Sequence, residues 1–431
     1  MSMNGCKQGS MMEVNRERRR KRMDIRSTFE TLDKKFTSFG GLEQGGITRL
    51  LYSPEWIDAV RELEATFKEE GLEVSFDDVG NLSGRLVGSK YSEETILTGS
   101  HIDTVVEGGH LDGQFGILSA LVAVKYLKEK YGQPLRTIEV LSLAEEEGSR
   151  FPYTFWGSKN FFNLAKKADV DTIEDAEGIK FEDAMHESGF DYRKTDDVRD
   201  DIKAFVEVHI EQGKVLEAEN KAIGVVTGIV GQKRYTINLK GEANHAGTTP
   251  MSLRRDTVVA YSEIVTDLTK RAREIGEPLV LTFGHVTPVP NTVNVVPGEI
   301  TFSIDCRHID QQLLNDFARE IEDKVKAVAE ANSMTYDINL WMDEAPSLMD
   351  KEIIQIVEQA AKDNVGDSYK LMPSGAGHDA QIFAGFVPTA MLFVPSIGGI
   401  SHNTNEETKI EDLVKGIEVL KDVLFELAYK E

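Results

Sequence analysis

Along the first half of the chain strand-like and helix-like segments alternate. GLEVSFDDVGNLSGRLVG and ETILTGS read as strands, GILSALVAVKYLKEKY as a helix, and RTIEVLSLA as a further strand. In the helix, Ile117, Ala120, Leu121, Val124 and Leu127 fall on one face. Ile138, Val140, Leu141 and Leu143 make the strand after it apolar enough to be buried on both faces, as strands of parallel sheets are. The pattern predicts an α/β fold, with a mixed, largely parallel sheet flanked by helices.

From about residue 226 the order changes to strand (RYTINLKG), helix (TVVAYSEIVTDLTKRAREIG), two strands (LVLTFGHV and EITFSIDCRH), helix (QQLLNDFAREIEDKVKAVAEA) and strand (YDINLWM). That β-α-β-β-α-β succession predicts a ferredoxin-like α+β domain inserted into the first. After Pro346 the α/β pattern resumes, with TAMLFVP as a strand and EDLVKGIEVLKDVLFELAYK as a closing amphipathic helix. The expected division is a catalytic domain over 23–225 and 344–431, interrupted by an insert over 226–343, with 1–22 outside both.

Two domains suit a length of 431 residues, since single domains usually hold roughly 100 to 200. Net charge is −24 and unevenly placed: residues 1–22 carry seven Lys/Arg and two Glu, a surplus of five that leaves −29 for the remainder. So acidic a body repels nucleic acid and anionic membrane surfaces and excludes both as partners. The basic run RERRRKR at 16–22 lacks an apolar h-region and precedes Met23, an alternative start. It reads as a disordered extension without a part in the function. Only Cys6 and Cys306 occur, and no stretch of about 18 apolar residues is present to span a bilayer. The expected setting is the cytoplasm.

Ligand-type residues gather where strands end. GSHIDTVVEGGHLDGQFG at 99–116 packs His101, Asp103, His110 and Asp112 among glycines. Glu145, Glu146 and Glu147 follow RTIEVLSLA, His209 follows AFVEV, and His402 lies in GGISHNT after TAMLFVP. Open α/β sheets bind their ligands at such carboxyl ends. Two metal ions a few ångströms apart need a bridging carboxylate, with His and carboxylate ligands on either side. Asp112, in a glycine-bounded turn, suits the bridge, with His101 and His209 on one ion and Glu147 and His402 on the other. Asp103, two residues past His101, would fix the imidazole tautomer. Singly, each residue has a plainer reading: His101 or His209 as a hydrogen-bonded core histidine, the EEE triplet as a solvated charge run. A triplet that closes a buried strand fits the latter poorly.

With these residues assembled, the sequence resembles the dinuclear metal amidohydrolases of the aminoacylase and carboxypeptidase G superfamily, through HIDTV, DGQFG, EEEGSRF and the late SHN. HIEQG at 209–213, NHAGTTPM at 244–251, NTVNVVPG at 291–298, DCRH around Arg307 and GAGHDA at 375–380 resemble its carbamoyl-amidohydrolase branch. GGITRLLYSPEW, EEEGSRFPYTFWGSKN and MPSGAGHDAQIFA are similar to the allantoate-hydrolysing members of that branch.

The resemblance implies two divalent metal ions per subunit, manganese or zinc, held by His101, Asp112 and His209 on one side and by Asp112, Glu147 and His402 on the other. Glu146 is then the general base. Gln212, His245, Asn294, Arg307 and His378 fall on substrate-contacting positions, His245 also stabilising the oxyanion. The implied substrate is a small ureido compound, allantoate, with Arg307 binding its carboxylate through two parallel hydrogen bonds. A homodimer is implied as well, with the insert as dimerisation and lid domain and His245 entering the partner subunit's site. The turn at Asp112–Gly113 is expected to hold a non-proline cis peptide. An N-carbamoyl-L-amino acid hydrolase or a β-ureidopropionase would share all these residues and differ in pocket shape. A metallo-exopeptidase fits less well, because that branch usually has a carboxylate where His209 stands.

Overall fold

The computed structural model describes residues 23–431; the basic run 16–22 and Cys6 lie outside the described residues. The chain forms two compact units, one of residues up to 224 with 356–369 and 392–431, the other of 225–355 and 370–391.

In the first unit the strand order is Glu73–Phe76, Leu82–Leu86, Arg136–Leu143, Tyr91–His101, Ile202–Ile210 and then Thr389–Val394, whose last three residues belong to this unit. Arg136–Leu143 and Ile202–Ile210 run parallel to Tyr91–His101 on its two sides, while the outer pairings are antiparallel. The sheet is mixed, parallel at its centre. Seven of the eight residues of Arg136–Leu143 are buried, which is why its sequence is a nearly unbroken apolar run. The helix Gln114–Tyr131 is buried without a break from Gln114 to Val124. It packs on the Tyr91–His101 and Ile202–Ile210 strands and on the helices Ile25–Thr37 and Ile410–Tyr429. The helix Pro54–Glu69 starts on a Ser53 cap with proline in its first turn, a favourable opening for a helix, and packs on the two outer strands.

An aromatic cluster anchors the exit of Arg136–Leu143. Trp56 Nε1 donates to the Ala144 carbonyl at 3.1 Å, Trp156 Nε1 to Tyr52 Oη at 3.0 Å, and Tyr52 Oη to the Val79 carbonyl at 2.8 Å. The rings of Tyr52 and Trp56 meet edge to face, as do those of Trp156 and Phe181. Each ring buries its apolar face while its polar edge finds a partner, so the chain leaves the strand towards Glu145–Glu147 along a fixed path.

The second unit holds a five-stranded antiparallel sheet in the order Val286–Val289, Glu299–His308, Gly231–Lys240, Thr335–Glu344, with Val280–Thr282 also on Glu299–His308. Together with the helices Thr257–Ile275 and Gln311–Ala331 this is the ferredoxin-like arrangement,. Burial alternates along Gly231–Lys240 and Glu299–His308. Tyr235, Ile237, Phe302 and Ile304 form one core with Ile264 and Phe317 of the helices. LVLTFGHV, expected as a single strand, is two. Val280–Thr282 pairs with Glu299–His308 in one register and Val286–Val289 in another, one residue out. The extra residue is taken up around Gly284, where a bulge interrupts the ladder. Among the described residues no helix is long and apolar enough to cross a membrane.

Candidate active site

His101 ends its strand opposite Leu143, the last residue of the neighbouring parallel strand, so the segments 102–112 and 144–149 leave the sheet side by side. Asp103 ties them. Its carboxylate, 1% exposed, accepts the main-chain N–H of Glu146 at 3.1 Å and of Glu147 at 3.1 Å. The same group lies 3.3 Å from His101 Nδ1. Glu145 turns inward and accepts from Gly148 N at 2.5 Å and Ser149 N at 3.3 Å. Burial, with the neighbouring Asp103 charge, pushes its carboxyl well above the usual carboxylate range.

At the 112–114 turn the Gln114 N–H donates to the Asp112 carbonyl at 2.7 Å across Gly113, whose φ is 65° and ψ −53°. This is a γ-turn that needs positive φ. The expected cis peptide is absent: among the described residues the cis bonds are Glu277–Pro278 and Val289–Pro290. The glycine makes the reversal by its own dihedrals, and a side chain there would meet the His101 ring at 2.5 Å.

Three imidazoles face the turn through Nε2. His101 Nε2 is 3.5 Å and His209 Nε2 3.1 Å from Asp112 Oδ1, whereas His402 Nε2 is 3.3 Å from Asp112 Oδ2 and 3.3 Å from Glu147 Oε1. The ring tautomers are set from behind: His101 Nδ1 is 3.1 Å from the Asp103 carbonyl and His209 Nδ1 2.9 Å from the Ile210 carbonyl. Each carbonyl can only accept, so Nδ1 carries a proton and Nε2 is the nitrogen turned to Asp112 or to a metal ion. Ligand atoms of His101, Asp112 and His209 lie within 4.8 Å of one another, as do those of Asp112, Glu147 and His402. Two nitrogen-and-oxygen groups sharing one carboxylate fit a pair of divalent metal ions.

The charges of the cluster are mutually supportive. Burial favours a neutral Asp112, yet hydrogen bonds from His101, His209 and His402 hold its carboxyl well below the usual range. Burial likewise opposes a charged His101, but Asp103 and Asp112 outweigh it and raise the imidazole well above its ordinary value. Hydrogen bonds to Asp112 and Glu147 raise His402 to about 10.

Gln212, with φ 56°, sends Nε2 to Asp112 Oδ2 at 2.8 Å. Because a carboxylate can only accept, the amide orientation follows, and Oε1 is left buried without a hydrogen-bond partner among the described residues. Three participants were not read from sequence. Ser401 and Glu406 approach Asp112 from the far end of the chain. Arg49 is fully buried and donates to the carbonyl of Ile102 at 3.2 Å and to Gln114 Oε1 at 3.0 Å, on the two sides of the loop that carries Asp103 and Asp112. Burial lowers its pKa to about 9 against the pull of Asp103. Ser401 is the first residue of the SHN motif, but nothing in NTNEET distinguishes Glu406 from a solvated acid.

The second unit carries His245, Asn294, Arg307 and His378. His245 pairs with Val295 in a two-stranded ladder, and Ala246 N donates to the Asn294 carbonyl at 3.0 Å. His245 Nδ1 accepts from Gly247 N at 3.0 Å and Thr248 N at 3.2 Å. Arg307 donates from Nε to Asp305 Oδ1 at 2.8 Å, from Nη2 to Oδ2 at 3.0 Å, and from Nη1 to the Gly375 carbonyl at 2.8 Å. With three of its five N–H groups engaged, one remains on each of Nη1 and Nη2. His378 is buried, with Nε2 3.0 Å from Ser374 Oγ.

Residues 97–426 match peptidase family M20/M25/M40. The chain belongs to that family. The M20/M25/M40 match takes in Glu146 and all five candidate metal ligands. The chain is 55% identical over 397 residues to the allantoate amidohydrolase of Escherichia coli (strain K12), covering 92% of this chain and 96% of that one. It is 43% identical over 411 residues to the allantoate amidohydrolase of Bacillus subtilis (strain 168), covering 95% and 100%. Among solved structures, an amidase of the hydantoinase/carbamoylase family from Burkholderia multivorans is similar with a TM-score of 0.87 at 31% identity, covering 95% of this chain and 99% of that one.

Proposed function

We propose that this member of the M20/M25/M40 family hydrolyses the ureido group of allantoate to ureidoglycine, ammonia and carbon dioxide, a step of purine (allantoin) degradation. The observation that carries the reading is the Asp112 carboxylate, whose Oδ1 faces His101 and His209 while Oδ2 faces His402. The identities to two allantoate amidohydrolases support allantoate among ureido compounds.

Two divalent ions, manganese or zinc given the His and carboxylate donors, would supply an acidified water and a polarised ureido carbonyl. Glu146 accepts the water proton as the oxygen attacks the carbonyl carbon, and returns it to the departing nitrogen, so that ammonia leaves. The carbamate left behind separates into carbon dioxide and the amine. His245 receives two N–H groups at Nδ1, so its own proton sits on Nε2, ready to donate to the tetrahedral oxyanion. The free Nη1 and Nη2 hydrogens of Arg307 suit the substrate carboxylate. Gln212 Oε1 suits a ureido N–H. Asn294 and His378 complete the polar contacts.

The same reading makes the protein a cytoplasmic homodimer, with 226–343 as lid and dimerisation domain. Thr335–Glu344 supports it: the strand pairs on one side with Gly231–Lys240, and Tyr336, Leu340 and Trp341 on it are exposed. Such an edge is satisfied by a twin, and His245 then acts in the partner subunit's site. Ammonia release by metal-loaded protein from allantoate, N-carbamoyl-amino acids and 3-ureidopropionate tests the substrate. A kcat/KM for allantoate at least about tenfold above the others is expected; a reversed preference would replace allantoate with the better substrate.

A further inference from the structure

Four residues beyond His402 the chain returns a carboxylate to the interior. Glu406 is 4% exposed, and its Oε1 accepts the main-chain N–H of Leu111 at 3.0 Å and of Asp112 at 3.1 Å. Its Oε2 lies 2.7 Å from Ser401 Oγ, which is itself 3.0 Å from Asp112 Oδ2. One carboxylate therefore grips the bridging aspartate at its backbone, and shares with Asp112 Oδ2 the single proton of the Ser401 hydroxyl. A buried carboxylate is costly unless its oxygens are hydrogen-bonded, and here both are.

Gly109 is shaped to the same contact. A Cβ at 109 would meet Glu406 Oε1 at 1.9 Å and its carboxyl carbon at 2.0 Å, although the backbone of Gly109 does not lie in the left-handed region. The glycine is required by the Glu406 side chain and not by a turn.

We infer that Glu406 is a positioning residue for Asp112. It sets the main chain at 111–112 and, through Ser401, the rotamer that points Oδ1 and Oδ2 at opposite ligand pairs. It is not itself a ligand, because its oxygens are taken by N–H and O–H groups. The inference rests on the metal-dependent reading above.

The test is calorimetric titration of the metal-free full chain with Mn2+, alongside the unfolding temperature of the same samples and kcat and KM for allantoate. Glu406→Ala and Gly109→Ala remove the grip from its two sides. Each should weaken Mn2+ binding by about 10- to 100-fold, the usual cost of a lost outer partner of a metal ligand, and lower kcat with KM within about threefold of wild type. Glu406→Gln keeps an acceptor for the two N–H groups and offers Ser401 Oγ a donor, freeing the serine proton for Asp112. It should restore Mn2+ affinity to within about threefold of wild type. Unchanged Mn2+ affinity in both alanine variants overturns the inference, as does a Gln variant no better than Ala. So does a lowered unfolding temperature with unchanged affinity, which would mark a folding contact alone. Wild-type protein that takes up no Mn2+ removes the metal site and this role together. Because the titration needs no substrate, failure to hydrolyse allantoate would count against the proposed reaction and leave this role to be judged by the Mn2+ affinities.

Discussion

The main-chain N–H of Glu146 donates to Asp103 Oδ1 at 3.1 Å, and the Asp103 carboxylate also faces His101 Nδ1 at 3.3 Å. The proposed base and a proposed metal ligand are thus referenced to one buried carboxylate, so the proton acceptor keeps its place whatever its side chain carries. Glu146→Gln should retain the fold and substrate binding and lose turnover by about 100- to 10,000-fold, the range for a removed general base. Stopped-flow and steady-state rates on metal-loaded protein check this. Near-normal turnover would remove Glu146 from the role.

Mixing two inactive variants tests whether His245 serves the partner subunit. Glu146→Gln and His245→Ala, combined under subunit exchange, should form hybrid dimers with one site holding both residues. Activity should then return to about half that of wild type per hybrid dimer, because separate sites contribute independently. No recovery would place His245 in its own subunit's site.

Arg307 should set affinity more than rate. Arg307→Lys loses the planar fork, and Arg307→Ala the charge as well. Each should raise KM for allantoate by about tenfold or more, the worth of charge-assisted hydrogen bonds to a carboxylate. A neutral amide analogue of the substrate should be nearly indifferent to either change. Comparing KM for the two compounds across the three proteins decides the matter.

A pH dependence is expected far from the site. Burial would raise the Asp201 carboxyl, but hydrogen bonds from Arg199 and Thr95 prevail and lower it to about 2. A depressed folded-state value stabilises the fold above the unfolded value of about 3.9 and loses that contribution as pH falls towards 2. Asp201→Asn should therefore unfold at lower urea than wild type above pH ~4, with the gap between the two midpoints closing below it. A gap independent of pH would mean that the hydrogen bonds matter and the charge does not.

The order of elements and the types of the candidate ligands were legible because both are local. Apolar runs and 3.6-residue spacing mark Arg136–Leu143 and Gln114–Tyr131 wherever they lie in the fold, and parallel strands necessarily bring their carboxyl ends to one edge of the sheet. His101, Glu147 and His209 follow from that rule, while 1–22 cannot be compared with it. The bulge around Gly284 was hidden because LVLTFGHV is apolar enough for one strand, and only its pairing partner shows the slipped register.

What the sequence by itself determined is the chemistry on offer: an α/β frame with an insert, an acidic body, and imidazoles and carboxylates at strand ends. The tertiary structure decided how those groups are aimed. It divided the Asp112 oxygens between two candidate ligand pairs, made the turn a γ-turn at Gly113, buried Arg49 between Ile102 and Gln114, and brought Glu406 to a backbone N–H 295 residues away. A hydrophobic pattern is written in neighbouring residues, but the partner of a buried polar group is whichever segment the packed chain delivers to it. NTNEET has the composition of a solvated loop, and Glu406 acquires its place only when that loop folds back against Gly109.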